Sequence, residues 1–142
     1  MRFSGKVYKD GEFWLAEIPI LDAMTQGRTK KEAFEMALDM IKAMINKEGV
    51  EIDIYKGKNG GFEIASSDSS CLVSLLLQRK RQISGLSLSQ VSKRLGLSSR
   101  NSYARYEKGQ AAPTIGKLGE LLRAVDPKGD IVINDSNALT KA

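Results

Sequence analysis

The sequence predicts an α+β protein made of two small domains, and three observations lead to that prediction. Residues 1–65 combine alternating apolar residues with one long helical stripe, which is typical of a sheet covered by a helix. Residues 71–126 instead carry apolar side chains at helical spacing. Residues 66–70, Ser-Ser-Asp-Ser-Ser, are the only stretch with a linker-like composition. We therefore predict domains at 1–65 and 71–142, joined by a linker at 66–70.

The first element is predicted to be a β-hairpin over residues 1–18. Asp10-Gly11 is a strong two-residue turn signal, because a type I′ turn needs positive φ, which Asp and Gly tolerate. With that turn as the hinge, Val7 faces Trp14 and one side of the ribbon is apolar throughout. The opposite side is mixed and carries Lys6, Tyr8, Phe13, Leu15 and Glu17.

A third strand over 23–27 and a long helix follow. Thr29 and Glu32 form a capping box that starts a helix predicted over 30–48. Its buried stripe consists of apolar residues at helical spacing, namely Ala33, Phe34, Ala37, Leu38, Ile41, Met44 and Ile45. Gly49 suits the left-handed position after the helix. A fourth strand over 50–55, with room for a short fifth at 62–65, gives the order β-β-β-α-β.

The second domain is predicted to be all-α apart from one terminal strand. Ser70 caps a leucine-rich helix, Ser87 caps the next, and Pro113-Thr114 opens a further helix that Pro127 ends. Residues 130–134 have strand character and stand alone in this half. Because an isolated strand must pair with something, we expect it to pair with its copy in a second subunit.

Residues 87–109 are the most informative stretch of the chain. A short helix is followed by a tight turn at Gly96-Leu97-Ser98 and by a second short helix. The second helix is predicted to direct Tyr103 and Tyr106 inward. Its predicted outward face carries Arg100, Asn101 and Arg105. Two helices joined by a glycine turn, the second basic and amide-bearing, are the parts of a helix-turn-helix DNA reader.

Charge is divided unevenly between the two halves. Residues 1–65 hold 10 Lys and Arg against 11 Asp and Glu, whereas residues 66–142 hold 12 against 6. Within residues 78–110 there are eight basic side chains and one acid, Glu107. This concentration predicts a polyanionic partner for the second half and a different role for the first.

Composition excludes several kinds of chemistry. The chain has no histidine, which removes Ser-His, Cys-His and His-metal sites. Its single cysteine, Cys71, cannot form an internal disulfide and fits a reducing cytoplasm. Neither a signal peptide nor an apolar run of the roughly 20 residues that a membrane span needs is present in the sequence. We expect a cytoplasmic protein without enzyme activity, cofactor, metal or membrane contact.

Residues 72–126 resemble the Cro/repressor-type (Xre) helix-turn-helix family. The resemblance rests on the small residue Ser92, the turn glycine Gly96 and the run Arg105-Tyr106-Glu107-Lys108-Gly109. It implies that Arg81 ties the first helix of the domain to Glu107. The chain departs from the family in two places. Leu88 stands where the family has a DNA-contacting glutamine, and the stretch between Ser98 and Tyr103 is one residue longer.

The outward side chains of the second helix are the predicted DNA contacts. Arginine can bind guanine O6 and N7, and asparagine can bind adenine N6 and N7, so we predict base contacts from Arg100, Asn101 and Arg105. Phosphate contacts that position the protein are predicted for Ser89, Lys93, Ser102 and Lys108.

Residues 1–65 resemble the HicB-type antitoxin domain. The resemblance is carried by the run from Glu17 to Gly27 and by Thr29-Lys-Lys-Glu-Ala33. It implies a truncated, non-catalytic ribonuclease H-like fold that blocks a HicA-type mRNA-cleaving toxin, in a prokaryotic protein that represses its own operon. The implied partners are the HicA-type toxin, double-stranded operator DNA and further copies of the chain in a homodimer or homotetramer.

The toxin that this resemblance implies binds RNA, so its active face is expected to be basic. Acidic and apolar side chains of the first domain are therefore the predicted toxin contacts. These are Glu17, Asp22, Glu35 and Asp39, together with Tyr8, Phe13 and Leu15.

Two other functions stay open. One is a stand-alone transcription regulator whose first domain senses a small ligand. The other is a ribonuclease H-like nuclease that uses Asp10, Asp22, Asp39 or Asp53 with Mg²⁺. The sequence disfavours the nuclease, because Asp10 belongs to a hairpin turn and Asp39 to the outer face of a helix.

Overall fold

The structure, a computed structural model, describes residues 1–136 and 140–141. It divides into two compact units, of which one comprises Met1–Ser69 with Asp135–Ala142 and the other Ser70–Asn134. The division falls at the linker predicted for 66–70. The segment from residue 135, which the sequence assigns to the second domain, groups with the first unit instead.

The first unit is an antiparallel sheet covered on one face by a helix, so the α+β class is confirmed. The elements are β1 (Phe3–Asp10), β2 (Phe13–Ile18), a 3-10 helix (Pro19–Leu21), β3 (Ala23–Gly27), α1 (Lys30–Ile45), β4 (Ile52–Lys56), β5 (Gly61–Ser66) and β6 (Thr140–Lys141). Within the described residues the strand order is β3-β2-β1-β5-β4-β6.

The hairpin of β1 and β2 has the predicted faces but not the predicted register. Val7 lies opposite Ala16, and Lys9 lies opposite Trp14. The two-residue turn is therefore Gly11-Glu12 rather than Asp10-Gly11. Gly11 has φ +60, whereas Glu12 is not among the residues with positive φ. That combination suits a type II′ turn, which needs glycine only at its first central position.

Helix α1 begins at the predicted residue and ends earlier than predicted. Of the predicted capping box only the Thr29 half forms, because Glu32 Oε2 accepts the N–H of Arg28 rather than that of Thr29. The Glu32 N–H donates to Thr29 Oγ1 over 3.0 Å, which caps the first turn. At the other end Asn46, with φ +47, takes the left-handed position that the sequence assigned to Gly49. Asparagine tolerates this conformation, so the helix stops at Ile45.

The core of the first unit lies between α1 and one face of the sheet. The rings of Phe34 in α1 and Phe62 in β5 meet edge to face, with centroids 5.4 Å apart. Gly5 in β1 lies beside Phe62, and a Cβ there would be 2.2 Å from the end of its ring. The fully buried residues of this core are Ala16, Ile18 and Ile64 in the sheet and Ala33, Ala37 and Ile41 in α1.

The second unit consists of four helices, which are α2 (Ser69–Ile83), α3 (Leu88–Arg94), α4 (Arg100–Glu107) and α5 (Ile115–Val125). Each of α3, α4 and α5 has a serine or threonine N-cap whose side chain accepts a backbone N–H. Their shared core is made of Leu72, Leu77, Val91, Tyr103, Leu121 and Val125, all fully buried.

The terminal strand was predicted in the wrong place. Residues 130–134 form no strand, and the side chains of Val132 and Ile133 are 79% and 77% exposed. The terminal strand is β6, which pairs with β4 of the same chain. Alternating β-branched residues raise strand propensity, but a strand forms only where a partner edge is available.

Candidate nucleic-acid interface

Helices α3 and α4 are joined by a tight turn that glycine makes possible. Gly96 has φ +71, a left-handed conformation that costs other residues energy. Its N–H donates to Lys93 O over 3.0 Å, and the Leu97 N–H donates to Ser92 O over 2.9 Å. These two bonds satisfy carbonyls at the end of α3 and send the chain directly into α4.

Helix α4 exposes every residue that the sequence assigned to DNA contact on it. Ser99 caps the helix, and its Oγ accepts the Asn101 N–H over 3.2 Å. Residues at positions three, four and seven apart share one side of a helix. The exposed side of α4 and of the residue after it carries Arg100, Asn101, Ser102, Arg105 and Lys108. Ser89 and Lys93, the two predicted phosphate contacts on α3, are exposed as well.

The opposite side of α4 holds it against the rest of the unit. Tyr103 is 0% exposed and Ala104 is 4% exposed. Tyr106, which the sequence placed inside with Tyr103, is only half-buried. The small side chains of Ser92 in α3 and Ala104 in α4 are both buried.

A partly buried ion pair fixes α4 to α2. The Arg81 guanidinium donates through Nε to Glu107 Oε1 over 2.6 Å and through Nη2 to Oε2 over 3.0 Å. Arg81 also donates to Leu86 O, and the Tyr103 hydroxyl donates to Glu107 Oε1 over 2.8 Å. The link between Arg81 and Glu107 that the family resemblance implied is therefore present. Because two helices are held by a bidentate contact, the outward face of α4 is presented on a rigid support.

The ion pair changes the proton affinities of its neighbours. Burial, followed by the charge of Glu107 and the hydrogen bond to it, raises the pKa of the Tyr103 phenol well above its usual range. The hydrogen bond to Glu107 raises the pKa of the Arg81 guanidinium. Both groups therefore keep their protons to a higher pH than they would when exposed to solvent.

Two further contacts hold this arrangement together. Ser74 Oγ in α2 lies 2.9 Å from Tyr106 O in α4. The Arg94 guanidinium at the end of α3 donates to Ala124 O in α5 over 3.1 Å. Arg94 is thus engaged with backbone, whereas the guanidinium groups of Arg100 and Arg105 have no ion pair within the described residues. They are available for a ligand.

Comparison with protein families gives a match in this same region. Residues 77–126 match the model of a helix-turn-helix family. These residues are therefore similar to a Cro/C1-type helix-turn-helix. The match supports a DNA-binding regulator with double-stranded DNA as its partner. A comparison of the chain with curated proteins finds no match.

Four of the predicted toxin contacts lie together on the face of the sheet that α1 leaves open, called here the outer face. Tyr8 lies opposite Leu15, and the Tyr8 hydroxyl donates to Glu17 Oε2 over 3.2 Å. Phe13 is on the same face because it pairs with Asp10, two residues beyond Tyr8.

The other three predicted toxin contacts lie elsewhere. Asp22 is exposed just before β3, in a left-handed conformation with φ +47. Glu35 and Asp39 are exposed on α1, which covers the opposite face of the sheet. The structure therefore does not bring all seven residues onto one surface.

Sequence reasoning missed Met24 on the outer face. Met24 lies opposite Glu17 and is 52% exposed, which makes it the most exposed apolar side chain on this face. The sequence contained the signal for this position. Side chains along a strand alternate between its two faces, so Met24 and Gln26 share one face of β3 and Ala23 and Gly27 share the other.

The far half of the outer face is covered by the chain itself. Arg2 stacks on Tyr55, with its guanidinium carbon 3.7 Å from the ring centroid, and pairs with Glu63 over 3.2 Å. The Ser136 hydroxyl donates to Glu63 as well, and Glu63 is only 8% exposed. The free part of the outer face is therefore the part formed by β1, β2 and β3.

Two further findings concern metal binding and membrane spans. Among the described residues, no three His, Cys, Asp or Glu side chains are grouped so that they could hold a metal ion. None of the helices in the described parts of the chain is long and apolar enough to cross a bilayer.

Proposed function

We propose that the protein is an antitoxin that blocks a HicA-type ribonuclease with its first unit and represses its own operon with the helix-turn-helix. The observation that carries the proposal is the free part of the outer face, where Tyr8, Phe13, Leu15 and Met24 are left without a covering layer. Clustered apolar and aromatic side chains on a free sheet face are typical of a protein-binding surface. Glu17 beside them would suit a basic partner.

On the DNA side, we propose that Arg100, Asn101 and Arg105 contact base edges. Ser89, Lys93, Ser102 and Lys108 would hold the phosphates on either side. A single helix-turn-helix reads one half-site, so the proposal includes a homodimer or homotetramer on half-sites about 34–36 Å apart. The exposure of all seven side chains supports this assignment.

Co-expression with the short reading frame next to the gene tests the antitoxin role. We expect a small basic protein to co-purify and its RNA cleavage to be inhibited. Phe13→Glu should weaken this complex at least tenfold, because it places a charge within the apolar surface. Met36→Glu is the matched control, since Met36 on α1 is 42% exposed against 40% for Phe13.

The outcomes separate the candidate functions. Equal loss from both variants, or none from either, would reject the outer face as the toxin site. Co-purification of a small metabolite without any protein would favour the ligand-sensing regulator instead. DNA binding would stand in either case.

A further inference from the structure

We propose that one end of the sheet in the first unit is a second DNA-docking surface, which binds the phosphate backbone of the duplex held by the helix-turn-helix. This surface, the cationic end, consists of five exposed basic residues, Lys9, Arg28, Lys30, Lys56 and Lys58. The proposal goes beyond the antitoxin role, which uses the outer face and none of these side chains.

The topology brings the five residues to one end of the sheet. Lys9 lies opposite Trp14, and Trp14 lies opposite Gly27, so β1, β2 and β3 reach this end together. Arg28 and Lys30 follow directly at the start of α1. The Val7 N–H donates to Gly60 O over 2.8 Å, which brings the loop after β4, with Lys58, to the same end.

Two of the lysines, Lys9 and Lys56, lie on the face of the sheet that α1 covers, and Lys30 is the first residue of α1. Along β1 and β4 the inward positions are apolar until the last one, which is Lys9 in β1 and Lys56 in β4. Lys56 Nζ lies 4.5 Å from the ring centroid of Phe34, and Lys30 Nζ lies 5.9 Å from that of Trp14. The rings hold these two ammonium groups in place and leave them open to solvent.

The cationic end has an excess of positive charge that the chain does not neutralise. Among the described residues none of its five side chains takes part in an ion pair. Glu32 is engaged with the Arg28 backbone N–H over 2.6 Å, and Glu35 pairs with Lys31 over 4.0 Å. Glu32 keeps its negative charge, so together with Asp10 and Glu12 in the hairpin it sets three carboxylates against five basic side chains at this end.

The positive charge of the cationic end favours a polyanionic ligand. The presence of a helix-turn-helix in the same chain indicates that this ligand is DNA. A basic ribonuclease would be repelled by the net positive charge of this end. Duplex DNA carries about one negative charge per 1.7 Å of axis and is already bound by the second unit. Because both units belong to one chain, DNA bound by one is presented to the other at raised effective concentration. Lysine contacts to phosphate oxygens carry no sequence information, so these side chains suit binding that is independent of DNA sequence.

The test compares two triple variants of the full chain on a random-sequence duplex of about 30 bp, long enough for several phosphate contacts. Lys9→Gln, Lys30→Gln and Lys56→Gln together should reduce the slope of log Kobs against log salt by about 2 to 3, since each lost phosphate contact contributes about 0.9. Lys6→Gln, Lys42→Gln and Lys47→Gln remove the same charge from other exposed positions and should leave the slope nearly unchanged. Replacing the first three lysines with arginine should restore it.

Equal slopes for the two glutamine triples would overturn the proposal, because only the overall charge would then matter. A reduced slope of the first triple that is seen only with single-stranded RNA would also overturn the proposal. Lysine acetylation of the unmodified protein gives a measurement that does not depend on variant folding. DNA should protect Lys30 and Lys56 but not Lys42, and equal protection would count against the surface. Toxin inhibition by the first triple should be unaffected, which keeps this test separate from that of the antitoxin role.

Discussion

Arg100 and Arg105 lie on the exposed side of α4, where the guanidinium groups face solvent. Replacing either with alanine should cost about 1–3 kcal/mol at a preferred duplex, because the bidentate base contact proposed for it would be lost. Fluorescence anisotropy with preferred and random duplexes measures the effect. Arg123→Ala, an exposed arginine on α5, is the control and should have little effect. Equal losses on both duplexes would show that Arg100 and Arg105 do not read sequence.

Breaking the ion pair of Arg81 and Glu107 should be strongly destabilising. Its side chains are 17% and 8% exposed, so Arg81→Met would leave the Glu107 carboxylate buried without its cation. We expect the free energy of unfolding to fall by about 3 kcal/mol in urea titrations. Lys117→Met breaks the exposed pair with Glu120 and should cost less than about 0.5 kcal/mol. Similar losses in the two variants would contradict this reasoning.

The raised pKa of Tyr103 makes the unit less stable in alkali. The unfolded phenol loses its proton near pH 10, whereas the folded phenol keeps it to higher pH. The unfolded state therefore binds fewer protons above pH 10, and stability falls as pH rises. Tyr103→Phe should remove part of this alkaline loss, measured as the free energy of unfolding between pH 9 and 11. Tyr106→Phe should leave the alkaline loss of stability in place.

Single-residue predictions succeeded where helical spacing or family resemblance decided them. Spacing placed Arg100, Asn101 and Arg105 outward and Tyr103 inward, as found. Tyr106 is half-buried instead, because a helix packed on one side has boundary positions that a periodic pattern assigns poorly.

At the scale of elements, the turn between α3 and α4 depends on Gly96. A Cβ at Gly96 would meet nothing within 4 Å, so the cost of Gly96→Ala comes from its φ of +71 alone. We expect about 1 kcal/mol of destabilisation. Gly116 in α5 has equal space and lacks positive φ, so Gly116→Ala should instead stabilise by up to about 1 kcal/mol. Thermal unfolding that shifts the same way in both would contradict the argument.

The hairpin shows which property of an element a pattern can specify. A register shift of two residues leaves every side chain on its own face, so alternation alone cannot detect it. Asp10-Gly11 and Gly11-Glu12 both contain a glycine suited to a tight turn. The structure selects the second, and the pairing of Val7 with Ala16 follows from that choice.

At the scale of the whole molecule, the last residues complete the sheet of the first unit. β6 pairs with β4, and Ser136 bonds Glu63 beside Arg2. Deleting residues 135–142 should expose the edge of β4 and speed amide exchange there about tenfold, because one or two hydrogen bonds are worth about 1 kcal/mol. Amides of Leu121 and Leu122, in the other unit, should exchange at unchanged rates. Uniform acceleration across the chain would contradict this division.

The sequence by itself determined the two-part organisation, the element order and the outward basic side of α4, because these depend on periodicity and turn chemistry within short windows. Only the tertiary structure decided the hairpin register, the true position of the terminal strand and the open part of the outer face. The register depends on which of two overlapping turns closes the hairpin. The other two depend on contacts between residues far apart in the chain, such as Arg2 with Glu63 and Ser136. No local pattern encodes which distant edge a segment will meet, since pairing energy depends on the partner.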